Sequence, residues 1–476
     1  MRLIIVSNRL PVTLENDRPD APFKRSIGGL VTGIGAYLDN VSKGLTPFDE
    51  YLWVGWPGAE VRPAEQGPFS DHCIKDHHCC PVFLEEEMVR QYYFEFCNRT
   101  IWPMFHYFPQ YVSHDPDSWE FYRRANRLFY LTLKKHLHKD DVVWIHDYQL
   151  MLLPQMIRED FAEVSISFFL HIPFPAFDML RHLSRHICAA MLEGLLGADL
   201  IGFHTQAYVQ DFLQCLHKVL NISSGPREIV RGDRLVRTGA FPMGIDYNAI
   251  QEVADSGKCA VLKQKIVHEF AGCKLILSID RLDYTKGIAN RLIAFDRFLS
   301  RFPEWREKIV LMLLVAPSRR EIGAYQEIKR SIDELVGNIN GTYSRHDWTP
   351  VIYQYKQFDL TELCALYGAS DIALVTPLRD GMNLIAKEFI AAHTDHKGML
   401  ILSEMAGAFD ELKEAIAVNP FNIDEIVDAL KEGLHMPEEE RRFRNKKMQA
   451  RLQKYDVDKW ASDIMTLTLA NKIIFS

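Results

Sequence analysis

Eight apolar runs of strand length, each followed by a segment of helical periodicity, constrain what this chain can fold into. They are Leu3 to Val6, Val142 to Ile145, Ser165 to Leu170, Leu200 to Phe203, Leu275 to Ile279, Ile309 to Ala316, Ile372 to Val375 and Met399 to Leu402. Strands buried on both faces by crossover helices read as continuous apolar runs, so the alternation predicts an α/β fold with parallel sheets covered by helices. In the opening unit Leu30, Ile34, Leu38 and Val41 recur every three or four residues until Gly44 stops the helix. The alternation fills two blocks of similar size. Between them Phe241-Pro242-Met243-Gly244-Ile245-Asp246 carries Pro and Gly that interrupt any regular element. At roughly 100 to 200 residues per domain, two large domains are expected. We expect Rossmann-like domains over residues 1–246 and 247–455, and a helix over 456–476 packing back on the first domain.

Lys and Arg total 55 against 63 acidic residues, a formal charge of −8 that argues against a general polyanion binder. Any phosphate must therefore be met locally. Nine cysteines without an apolar leader are expected to be reduced thiols in a cytoplasmic protein. No apolar run approaches the roughly 18 residues needed to span a bilayer. His72, Cys73, His77, His78, Cys79 and Cys80 resemble a metal cluster, but Cys79 to Leu84 reads as a strand whose adjacent cysteines point to opposite faces, and no metal is expected. Trp53, Trp56 and Pro57 around Gly55 are assigned to core and turn.

Ligands of open parallel sheets lie beyond the carboxyl ends of the strands, and two such sheets facing each other put a central cleft between domains. Arg9, Asp147, His171, Arg281, Arg319 and Asp380 all fall at such ends. One Arg or Asp at a strand end is commonly a cap or a surface ion pair. Six spread over both halves point to binding.

Three local sequences carry more. Gly28-Gly29-Leu30-Val31-Thr32-Gly33 at a helix start lets backbone N–H groups approach a phosphate, although it has neither the G-x-G-x-x-G nor the Walker A spacing. Arg281-Leu282-Asp283-Tyr284-Thr285-Lys286-Gly287 sets two cations where a strand turns into a helix, either as a basic turn or to neutralise a departing diphosphate. In Thr376 to Glu388, the Gly381-Met382-Asn383-Leu384 stretch is expected to begin a helix, with Glu388 about two turns in and able to accept from ribose hydroxyls. A nucleoside diphosphate is the implied ligand.

Val6 to Val12, Ser26 to Leu30, Tyr92-Tyr93 with Asn98, Trp102 to Tyr107, Trp144 to Tyr148, Phe169 to Pro175, Arg281 to Gly287 and Thr376 to Glu388 occur in one order along nearly the whole chain. Together they resemble the trehalose-6-phosphate synthases of glycosyltransferase family 20. The resemblance implies a GT-B enzyme moving glucose from UDP-glucose to glucose 6-phosphate with retention, without a metal or other cofactor. It implies donor contacts at Gly28, Gly29, Arg281, Lys286, Phe358, Asp380, Leu384, Ile385, Ala386, Lys387 and Glu388. Acceptor contacts fall on Arg9, Tyr93, Trp102, Asp147 and Arg319, with the two arginines on the 6-phosphate. Arg281, Lys286, His171 and Asp380 are the implied catalytic residues, the last two touching the transferred glucosyl group. No acid pair stands out as the acid and nucleophile of a retaining glycosidase, which suits a departing phosphate oxygen as proton acceptor.

One departure is Cys97, where the pattern leads us to expect Ser. No Asp-x-Asp-Gly phosphatase motif follows, so the product is expected to stay phosphorylated. Expected partners are the two substrates, alone or within a homo-oligomer, with no nucleic acid and no membrane. The rival readings are a dehydrogenase, a silent sugar-phosphate sensor, and a glucosylglycerol-phosphate synthase with the same donor.

Overall fold

In a computed structural model describing residues 1–14, 23–25, 29–318 and 323–474, the chain divides into two compact units, Met1–Met243 with Val457–Ser476, and Gly244–Asp456. The first unit holds strands β1 (Arg2–Arg9), β2 (Val12–Leu14), β3 (Phe23–Arg25), β4 (Glu50–Trp56), β5 (Cys79–Pro81), β6 (Val142–His146), β7 (Ser165–Phe169), β8 (Leu200–Phe203), β9 (Glu228–Arg231) and β10 (Arg234–Ala240). The second holds β11 (Lys274–Arg281), β12 (Ile309–Ala316), β13 (Val351–Gln354), β14 (Ile372–Val375), β15 (Met399–Ser403) and β16 (Ile416–Val418). All eight apolar runs are strands.

The second sheet is parallel throughout, in the order β13-β12-β11-β14-β15-β16. Counted from its own first strand this is 3-2-1-4-5-6, the order of dinucleotide-binding sheets, whose topological switch point lies between β11 and β14. The first sheet follows the same plan, in the order β5-β4-β1-β6-β7-β8-β10-β9, with its switch between β1 and β6. Only β9 runs antiparallel among its described strands, joined to β10 by a hairpin that turns at Gly232, φ 63°. A small hairpin of β2 and β3 lies between β1 and helix Gly29–Ser42, so the glycine run there follows a hairpin strand rather than a sheet strand. Gly28 lies outside the described residues.

Helices on both faces explain the unbroken apolar runs: Leu3, Ile4, Ile5 and Val6 are wholly buried, as are Val142 to Ile145. Helix Val457–Ile474 belongs to the first unit, where buried Trp460 packs against Trp144 and Phe169, with ring centroids 5.1 Å away in each case. Ile464 is buried with it, whereas Leu467 remains partly exposed. Among the described residues, no helix is long and apolar enough to cross a membrane.

Candidate active-site residues

At the switch point of the second sheet, the segments after β11 and β14 lie against each other. Asp283 turns the chain out of β11 by accepting from the Thr285 N–H and hydroxyl, both at 3.0 Å. Gly287 has φ 66°, and a Cβ there would stand 2.6 Å from the Thr376 carbonyl oxygen, so both conformation and space require glycine. The Leu378 N–H donates to the Thr285 carbonyl at 2.7 Å, fastening one segment to the other. This brings Lys286 Nζ to 2.5 Å from Asp380 Oδ2, which also accepts from Asn383 Nδ2 at 3.0 Å. Arg281, the last residue of β11, is exposed at the same edge.

Arg291 braces this corner from below. Its wholly buried guanidinium donates to Ser278 Oγ at 2.6 Å, to the Leu374 carbonyl at 3.0 Å and to the Lys286 carbonyl at 2.5 Å, and pairs with Asp280. Burial pushes the Asp280 carboxyl upward, with Arg291 opposing.

Asn383 corrects the predicted helix start. It sits at φ 77° and caps helix Leu384–Ala392 by accepting from the Ala386 N–H at 3.1 Å, so Glu388 lies about one turn in, not two. Tyr367 donates to Glu388 at 2.9 Å, and burial pushes that carboxyl upward. Lys387 is wholly buried and its ammonium pairs with Glu411, so what it can offer a ligand at the helix start is backbone. Phe358 follows β13, beside Asp359, the N-cap of helix Leu360–Ala369, with the Lys356 ammonium 4.5 Å from its ring centroid. Arg319 lies outside the described residues, beyond β12.

In the first unit, Arg9 ends β1 and Trp56 ends the adjacent β4, and the two are register partners. The Arg9 guanidinium stands 4.6 Å from the Trp56 ring centroid and 5.9 Å from that of Tyr93. No carboxylate pairs with it among the described residues. Trp56 was assigned to the core and is buried, yet its ring is the platform for Arg9, a role that pairing β4 with β1 creates and the local sequence does not signal.

Tyr93 rides on a π-helix, Val89–Ile101, that was not anticipated. Tyr92 ties it to Asn8 at 2.9 Å, and Tyr148 donates to Asn98 at 2.9 Å. Pro103 offers no N–H to the turn before it, and the Arg99 carbonyl accepts instead from the Ser113 N–H at 2.6 Å. Trp102 opens the next helical turn, its ring 4.1 Å from that of His106.

Asp147, just past β6, has φ 76° and ψ 170°, a region that favours glycine. It is held there by its own N–H, which donates to the Phe169 carbonyl at 2.8 Å, and by Oδ1, which accepts from the His171 N–H at 3.2 Å. Such strain costs about 1–3 kcal/mol and gathers at functional sites. Asp147→Gly is therefore expected to melt at a higher temperature than Asp147→Ala, which keeps the strain and loses the bond. Equal melting temperatures would show that position 147 is unstrained.

His171 follows β7, with Nε2 3.0 Å from Nδ1 of buried His146. Burial pushes His146 down to about 3, and burial together with His146 and His204 holds His171 well below the usual histidine range. Both imidazoles are neutral near pH 7. Elsewhere in this unit, burial raises the Cys79 and Cys80 thiols to about 12 and 11. Among the described residues, no group of three His, Cys, Asp or Glu side chains is arranged to hold a metal ion.

Two α/β units, each built on a largely parallel sheet with charged side chains at its carboxyl edge, are the architecture of GT-B glycosyltransferases, and the match to solved structures of that class shows that the chain shares it. The chain belongs to glycosyltransferase family 20, whose sequence model matches residues 1–468. It is 41% identical over 473 residues to the bifunctional trehalose-6-phosphate synthase/phosphatase of Thermoproteus tenax, covering 99% of this chain and 64% of that protein, which is less than two thirds of its length. Among solved structures, a UDP-forming α,α-trehalose-phosphate synthase from Burkholderia xenovorans in complex with glucose 6-phosphate is 33% identical. Its TM-score is 0.87, with 98% of this chain and 100% of that chain covered. A trehalose-6-phosphate structure from E. coli bound with UDP-2-fluoro glucose is likewise 33% identical, with a TM-score of 0.86 and coverages of 98% and 99%.

Proposed function

We propose that the chain transfers glucose from UDP-glucose to glucose 6-phosphate with retention, giving α,α-trehalose 6-phosphate and UDP. The observation that carries this reading is the likeness over 98% of the chain to structures holding glucose 6-phosphate in one case and a UDP-glucose analogue in another. In this reading Arg281 and Lys286 neutralise the departing diphosphate, the helix start offers the backbone N–H groups of Leu384 and Ile385, and Glu388 accepts from the ribose. Asp380 and His171 hold the glucosyl group, while Arg9, Tyr93, Trp102, Asp147 and Arg319 hold the acceptor. The bond from the sugar's anomeric carbon to phosphate breaks, the acceptor oxygen takes that carbon, and its proton passes to the departing phosphate oxygen. Catalysis then rests on positioning and on charge stabilisation.

Product analysis with a panel of nucleotide glucoses and phosphorylated acceptors tests the proposal. Turnover is expected with UDP-glucose and glucose 6-phosphate, and preferential turnover of glycerol 3-phosphate would replace the acceptor while keeping the donor. Because two side-chain cations stand where a divalent ion would otherwise serve, activity is expected to survive exhaustive EDTA treatment. Complete loss, restored only by magnesium or manganese, would contradict the role given to Arg281 and Lys286.

A further inference from the structure

The imidazole of His146 has no role in the chemistry above, yet it is wholly buried at the end of β6 and its Nδ1 lies 3.0 Å from His171 Nε2. Both rings are neutral, so one nitrogen of this contact carries the proton and the other accepts it. If His171 donated, His146 would carry its proton on Nε2. That atom is buried and has no hydrogen-bond partner in the structure. A buried N–H without an acceptor is rarer and costlier than a lone pair left unmatched. The balance therefore favours His146 as the donor. His171 then accepts at Nε2 and must hold its own proton on Nδ1, for which the described residues supply no partner. The ring is further fixed by Phe169 and Trp460, with centroids at 4.7 and 6.2 Å.

We propose that His146 is a positioning residue that donates from Nδ1 to His171 Nε2 and locks His171 in the Nδ1–H tautomer, so that His171 meets the sugar as a hydrogen-bond donor. Only the contact with the sugar rests on the proposed function. The tautomer is a property of the ligand-free protein and is tested without substrate.

Nitrogen NMR of the histidine-labelled chain, with His171→Gln to assign the signals, is expected to show His171 protonated on Nδ1 and bare on Nε2. His171 protonated on Nε2 would overturn the proposal. His146→Asn, which restores a donor near the position of Nδ1, is expected to keep that tautomer and most of the turnover. His146→Leu is expected to give His171 as a mixture of tautomers and to lower kcat by about five- to tenfold, the size of one neutral hydrogen bond, with KM for the acceptor little changed. A purely structural role would lower stability in both variants and leave the tautomer alone. That outcome would also overturn the proposal. If the tautomer is as expected but no glucosyl transfer is found, the functional reading fails and this inference stands.

Discussion

Free glucose offered in place of glucose 6-phosphate is expected to lower kcat/KM by about 10³-fold, because a site built around a phosphate is left with unpaired cations when the phosphate is missing. Arg9 is suited to that task. Its guanidinium is exposed, rests on the Trp56 ring at 4.6 Å and pairs with no carboxylate among the described residues, so its charge is held in place by an aromatic face without being neutralised. Arg9→Ala is expected to cost about 10- to 100-fold in kcat/KM for glucose 6-phosphate, the value of one or two charge-assisted hydrogen bonds, and to leave KM for UDP-glucose nearly unchanged. Steady-state kinetics with both acceptors checks this. Equal use of glucose and glucose 6-phosphate would remove the phosphate from the account of the acceptor.

Lys286→Ala is expected to lower kcat by about 10², the order seen when one donor to a developing charge is removed. Lys286 Nζ already lies 2.5 Å from Asp380, and the buried Arg291 holds the Lys286 carbonyl, so the ammonium is positioned before any ligand arrives. A diphosphate would have to share that ammonium with Asp380, which retains Asn383 as a second donor. An effect confined to KM for the acceptor would mean that Lys286 serves the other substrate.

The strands were legible because parallel strands covered on both faces leave unbroken apolar runs. That is why Leu3 to Val6 and Ile309 to Ala316 could be read directly, whereas the edge hairpin of β9 and β10, with charged residues on its open side, could not. Strand order was not legible, since nothing local to β11 says that β14 rather than β13 lies beside it. The loop residues at strand ends were visible as types of chemistry, but their partners were not. Lys387 reads as one more cation near a diphosphate until folding pairs it with Glu411, 24 residues on. Asn383 looked like part of the first turn of a helix because its left-handed cap depends on backbone conformation rather than on periodicity. Trp56 looked like core and is core, but its remaining face became useful only when β4 paired with β1. The π-helix had no warning beyond Pro103, which lacks the N–H that an α-helical turn over Arg99 would use.

The most direct measurement of the central claim is proton NMR of the reaction of the purified protein with UDP-glucose and glucose 6-phosphate. A single non-reducing disaccharide phosphate is expected, with both anomeric protons showing the small coupling of α linkages, released in equal amount with UDP. A β-configured glucosyl group, a reducing product, or UDP release that ignores glucose 6-phosphate would contradict it.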